Sequence, residues 1–174
     1  MKKNNHRPKS NQLFDFIFYN KKMAPFWLLV RLYVGYKWLH AGVTKLFSPT
    51  WIGSEAPQSL LHFLNNTLDK ATGPHASVMG WYAYLTQHVF IPLAPEMSYL
   101  VVAAEILVGL CILFGFWIKK AAIVGGLLNI NYMLAGSISI NPVLLILEIL
   151  LILSAKIAGY FGVASLQESP KKSK

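Results

Sequence analysis

The chain has 174 residues, of which 55% are hydrophobic and only 13% charged, a balance too apolar for an ordinary soluble domain of this length. Its net charge of +9 comes from basic residues scattered over tails and connections rather than gathered in a folded module, which argues against nucleic acid as a partner. A single cysteine, Cys111, excludes an intramolecular disulfide and a thiol-pair relay.

In chain order, residues 1–23 read as a basic tail, followed by a first apolar run over 24–46. The core of a cleaved signal is short and uncharged, whereas this run is interrupted by Arg31 and Lys37 and continues into Lys45, so it predicts a retained helix. Arg31, Gly35, Trp38, Gly42 and Lys45 recur at steps of three and four and form one stripe, which should face other helices. Three further runs, about 97–118, 121–140 and 143–162, each approach the roughly 20 residues needed to cross a bilayer. Residues 163–174 form a second basic tail. The expected fold is an all-α integral membrane protein: residues 24–162 make a four-transmembrane-helix bundle, with short amphipathic helices in a long extracytoplasmic first loop, 47–96.

Lysine and arginine set the orientation. The two tails and the second connection hold eleven of the 16 basic residues, while the first connection holds only Lys70 and the last holds none. With both termini cytoplasmic, every segment obeys the positive-inside rule. The basic tails suit the cytoplasmic membrane of a bacterium and attraction to anionic lipid.

A fifty-residue connection is long for a structureless loop. Leu60, Leu61, Phe63, Leu64 and Leu68 fall at helical spacing over 57–69. A second stretch, 76–90, carries Val78, Met79, Trp81, Tyr82, Leu85 and Val89. Both read as short helices on the outer face, serving either as interfacial anchors or as a cap on the bundle mouth. His62, His75 and His88 lack the spacing that would put two imidazoles on one helix face, so no metal site is expected. The Asn65-Asn66-Thr67 sequon has meaning only in a eukaryotic secretory pathway.

Counting about 1.5 Å per residue from the outer end of each span puts His40, Glu105, Asn131 and Glu148 in one layer. Lys45 falls just above it and Lys37 just below. A lone carboxylate in hydrocarbon would be protonated or expelled, so Glu105 and Glu148 should face Lys45, His40 or Lys37. Either these groups simply hold the helices together, or they line a site for a small anion, a proton path or a quinone headgroup. Nearer the inner side, Arg31 and Lys156 lie at similar depth and should reach toward cytoplasmic headgroups.

Arg31-x-x-x-Gly35, Ala41-Gly42-x-x-Lys45-Leu46, Glu105-x-x-x-Gly109 with Leu113-x-Gly115, Asn129-x-Asn131-Tyr132 and Gly159-Tyr160-Phe161-Gly162 occur in this order over about 24–162. Together they resemble the DoxX/DoxD family of four-span bacterial and archaeal membrane proteins, with the long outer connection closer to the DoxD side. The resemblance implies a cytoplasmic-membrane subunit of a redox system. On the DoxD side this is quinone-linked oxidation of thiosulfate or a related small sulfur anion, carried out with a separate subunit; on the DoxX side it is a complex handling oxidative and thiol stress.

Carried onto this chain, the matched polar positions are Arg31, Lys45, Glu105 and Asn131, to which depth adds His40 and Glu148. On that reading Lys45, with Arg31 and Asn131, binds substrate, and Glu105, Glu148 and His40 handle protons. Trp38 and Tyr132 flank a quinone ring. No haem-attachment, dinucleotide or P-loop motif is present, which favours a chain that does not carry electrons unaided. Two other readings stay open: a non-enzymatic anchor or scaffold for a soluble redox partner, and a small-ion conduit. The expected partners are the lipid bilayer, a partner subunit or soluble redox protein, and a second copy of the chain.

Overall fold

The computed structural model of the chain describes residues 9–163, so the outer part of the N-terminal tail and all but the first residue of the tail expected at 163–174 lie outside the described residues. Within them the chain is entirely helical. The helices are α1 (Lys9–Tyr19), α2 (Ala24–Leu46), α3 (Gln58–Asp69), α4 (Gly80–Leu85), α5 (Ala94–Phe114), α6 (Ile118–Leu134) and α7 (Asn141–Ala158). A 3-10 turn at Lys21–Met23 leads into α2, and a π-helical turn at Thr86–Phe90 continues α4.

Three of the four long helices open on a proline in the first turn: Pro25 in α2, Pro95 in α5 and Pro142 in α7. There the missing N–H has no intrahelical partner to lose and the fixed φ suits a helix. Gly115, at a left-handed φ of 75°, ends α5 and returns its N–H to the Cys111 carbonyl. These signals displace the runs expected at 97–118, 121–140 and 143–162 toward the N-terminus: Pro95 and Pro142 start their helices earlier, and Gly115 stops α5 before Ile118.

The helix α2 lies along α5 and α6 lies along α7, while α2 also meets α7 and α5 meets α6, which closes the four into a ring. The tightest approach is between α2 and α5. A Cβ at Gly42 would come 2.9 Å from the Ile106 backbone nitrogen, and one at Gly109 would come 2.5 Å from that of Leu39. Only glycine permits such backbone contact.

The bundle sets several polar groups within an apolar core and turns apolar side chains outward. Its interior holds Arg31, Ser98, Glu105, Asn129, Glu148 and Ser154, all buried. Its outer faces carry Leu29, Leu100, Leu107, Leu127, Ile146 and Ile149, all exposed. Apolar side chains turned outward over four helices call for an apolar surrounding. Two helices, α5 and α7, are long and apolar enough to cross a membrane. Of the others, α6 has 17 residues and begins with Lys119 and Lys120, and α2 has 23 but carries Arg31, Lys37 and Lys45.

Part of the segment expected to be a bare N-terminal tail is instead a folded element. Phe18 of α1 is buried with its ring 5.4 Å from that of Trp27, whose indole N–H donates to the Ile17 carbonyl at 2.8 Å. Apolar residues such as Leu13, Phe14 and Phe16 remain exposed along α1.

The long connection folds over one end of the bundle. Leu60 and Leu64 of α3 pack with Ala94, and Val78 and Tyr82 pack with Ala135. Lys70, just after α3, donates to the Gly136 carbonyl at 3.0 Å, and Thr67 donates to that of Ala135 at 3.3 Å. Both bonds meet carbonyls beyond the C-terminal end of α6, where the helix dipole favours positive charge.

Candidate ligand-binding cavity

Under this cover lies a cavity of about 410 Å³ between the connection and the bundle. Trp51, Leu60, Phe63, Leu64, Phe90 and Met97 supply an apolar roof and side. Its polar wall is built mainly from three of the long helices, α2, α5 and α6, with Ser137, Ser139 and Asn141 added from the turn into α7.

The stripe on α2 is the inward face of that helix, with Arg31, Gly35, Trp38 and Gly42 all buried. At its upper end Lys45 reaches Glu105 of α5, and its Nζ lies 2.6 Å from both carboxylate oxygens. Glu105 is 1% exposed and the lysine side chain 20%. The Tyr132 hydroxyl of α6 donates to Glu105 Oε1, also at 2.6 Å. The ammonium lies 5.1 Å from the ring centre of Trp51 and 6.0 Å from that of Tyr132, so two π faces complete its surroundings. Glu105 therefore receives three charge-assisted or phenolic contacts, which removes the cost of an isolated buried carboxylate.

Glu148 lies deeper and is served differently. It is fully buried, Trp38 Nε1 donates to its Oε1 at 2.6 Å, and Asn129 Nδ2 donates to its Oε2 at 2.7 Å. The expectation that a cation would face both acids is thus corrected: Glu105 has Lys45, whereas Glu148 is held by two neutral donors. Room for its carboxylate comes from Gly125, where a Cβ would collide with Oε1.

The other expected site residues divide. Lys45, Asn131, Tyr132, Trp38 and Glu105 line the cavity, and Glu148 stands behind Trp38 and Asn129. Asn131 accepts from the Tyr82 hydroxyl at its Oδ1, 2.8 Å away, so its amide N–H2 is the group left for a ligand. Burial of Tyr82 in the covering helix pushes its phenol up to about 12, keeping that hydroxyl a donor. His40 reaches the cavity only at its lip: it is exposed, its ring centre is 5.6 Å from that of Tyr36, and it bonds neither carboxylate. Lys37 also lines the lip, with Nζ 5.7 Å from the Tyr33 ring centre.

Arg31 is not part of this cavity. It is buried at the opposite end, where Nη1 donates to the Ala158 carbonyl at 2.9 Å, tying α2 to the end of α7. Gly115 and Gly162 leave space for its guanidinium, since a Cβ on either would run into Nη1. The expectation that Arg31 extends to the headgroups gives way to an internal tie, while Lys156 is exposed.

Sequence reasoning left Asn129, Gly125 and Trp51 out of the site, although Asn129 stood in one of the motifs. The first two had a signal: Gly125, Asn129 and Tyr132 stand at i, i+4 and i+7 and so share one face of α6. Asn129 also carries a loose end. Its Oδ1 is buried, has no hydrogen-bond partner among the described residues, and belongs to a residue of the cavity wall. Like Arg31 Nε at the other end of the bundle, it is closed off from solvent, and a buried polar atom left in this way costs stability.

No curated protein and no solved structure matches the chain. A family comparison does: the DoxX model matches residues 26–137, a stretch that contains the whole polar wall contributed by α2, α5 and α6. With well over half of its length covered, the chain belongs to DoxX, a membrane-associated family.

Proposed function

We propose that the chain crosses a bacterial cytoplasmic membrane four times, through α2, α5, α6 and α7, with both termini cytoplasmic. On this reading it serves a redox system as a membrane subunit that binds a quinone-type headgroup in the cavity. The apolar outer faces of the bundle support four spans, as do the charges of α2, of which Glu105 and the Ala158 carbonyl receive two inside the bundle. The positions of the lysines support the orientation. Lys21, Lys22, Lys119, Lys120 and Lys156 lie at the end away from the cavity, and the connection over the cavity holds only Lys70.

One observation carries the ligand class: the cavity joins an apolar roof to a wall in which the Lys45–Glu105 ion pair is already neutralised, with the Asn131 amide beside it. A small dianion such as thiosulfate fits poorly, because Lys45 is committed to Glu105 and an added anion would sit against that carboxylate. A neutral ring with carbonyl or hydroxyl oxygens fits better. Asn131 N–H2 and the remaining N–H of Lys45 offer donors, and Trp51 and Phe63 offer ring surface. When bound, such a group supplies two-electron, two-proton chemistry, and the electrons come from a partner subunit or soluble protein. The chain's own residues bind and orient it and hold protons on the Lys45–Glu105–Tyr132 cluster.

Organic extraction of protein purified in mild detergent tests this. Co-purifying quinone, lost in a Phe63→Ala/Asn131→Leu variant that keeps its fold, is the expected result. Protein free of quinone, and unresponsive to added short-chain quinone in tryptophan fluorescence, would sink the ligand assignment and leave the scaffold reading.

A further inference from the structure

At the end opposite the cavity, a groove of about 690 Å³ lies between the start of α6 and the end of α7. Four lysines line it: Lys21 from the turn before α2, Lys119 and Lys120 from the first turn of α6, and Lys156 from the last turn of α7. No acidic side chain is among its lining residues. Two aromatic rings hold ammonium groups at its rim, with Lys21 Nζ 5.4 Å from the centre of Tyr160 and Lys120 Nζ 5.3 Å from that of Trp117. Four like charges brought together repel one another unless an anion joins them.

The surroundings indicate which anion. Lys120, Ile123, Val124 and Leu127 are exposed at helical spacing along α6, and Lys156, Leu153, Ile149 and Ile146 are exposed at the same spacing along α7. Each strip starts at a lysine in the groove and runs as apolar side chains up the outside of the bundle. Phosphate-binding charge is thus joined directly to two tracks for acyl chains. A soluble phosphate would use the first feature and leave the second idle.

We infer that this groove is a headgroup site for an anionic phospholipid of the cytoplasmic leaflet. Four ammonium groups favour a lipid with two phosphodiesters, such as cardiolipin, over one with a single phosphodiester, and each apolar track can take the acyl chains of one phosphatidyl half. The inference rests on the four-span reading, and the two fail separately. A chain that stays monodisperse without detergent overturns that reading, whereas loss of headgroup selectivity overturns this site alone.

Native mass spectrometry and thermal unfolding of the detergent-solubilised full chain test it, with cardiolipin, phosphatidylglycerol, phosphatidylethanolamine or inorganic phosphate added. Cardiolipin should bind and raise the unfolding temperature most, phosphatidylglycerol less, and phosphatidylethanolamine and inorganic phosphate hardly at all. Replacing Lys119, Lys120 and Lys156 by Gln should weaken cardiolipin by about fivefold per lysine. The Lys22→Gln variant, which removes an exposed charge outside the groove, should bind as wild type and serves as the control. Equal binding of phosphatidylethanolamine, an undiminished triple variant, or inorganic phosphate stabilising as much as cardiolipin would each overturn the assignment.

Discussion

Gly125 of α6 stands directly against Glu148 of α7: a Cβ at position 125 would overlap the carboxylate and come 3.1 Å from the Trp38 indole nitrogen. Gly125→Ala should therefore push Glu148 off its two donors and cost about 1–3 kcal/mol through overpacking. At the neighbouring Gly126, a Cβ would meet Leu145 Cδ1 at an ordinary 3.4 Å, so Gly126→Ala should be nearly neutral. Thermal unfolding in detergent distinguishes them, and equal losses would refute a special role for Gly125.

Lys45 and Glu105 should behave as a unit. Lys45→Met leaves a buried carboxylate without its cation and should cost about 3 kcal/mol or more. Adding Glu105→Gln removes the orphaned charge and should recover most of the loss. Failure of the double variant to recover would mean that Lys45 acts through something other than this pair.

Arg31→Ala should lower stability by about 1–3 kcal/mol, because it removes the donor to the Ala158 carbonyl and leaves a void under Gly115 and Gly162. Affinity for a short-chain quinone should stay unchanged, since Arg31 is remote from the cavity. A large drop in affinity with intact stability would return Arg31 to the binding residues.

The single cysteine makes the topology easy to read. In a Cys111→Ala background, Ser77→Cys should react with an impermeant maleimide added outside intact cells, and Lys120→Cys only after permeabilisation. The reverse pattern would invert the proposed orientation.

Much of this could be read from residue order, and the failures have physical causes. The stripe on α2 was legible because charge and glycine at steps of three and four can only face inward in an apolar helix. Depth named Lys45 as one of three candidate partners for the acids, beside His40 and Lys37, without choosing among them. Depth says nothing of azimuth, however, and so it also placed His40 beside the carboxylates, although its side chain emerges on the exposed side of α2. The same limit hid the partners of Glu148, since an indole N–H and an amide satisfy a carboxylate as well as a lysine does. Helix ends moved by a few residues where Pro95, Gly115 and Pro142 outweighed hydropathy. The fold of α1 was missed because its contact, Phe18 on Trp27, joins a segment that reads as a basic tail in isolation to the start of the first apolar run.

The bonds that neutralise α2 reach far along the chain: Lys45 waits 60 residues for Glu105, Trp38 waits 110 for Glu148 and Arg31 waits 127 for the Ala158 carbonyl. During synthesis α2 therefore emerges with no counter-charge in reach and should linger in the translocon or at the lipid boundary until α5 and α7 follow. Nascent chains arrested before α5 should then be extractable by carbonate, and those arrested after α7 should resist it. Full resistance of the shorter chains would show that α2 integrates alone.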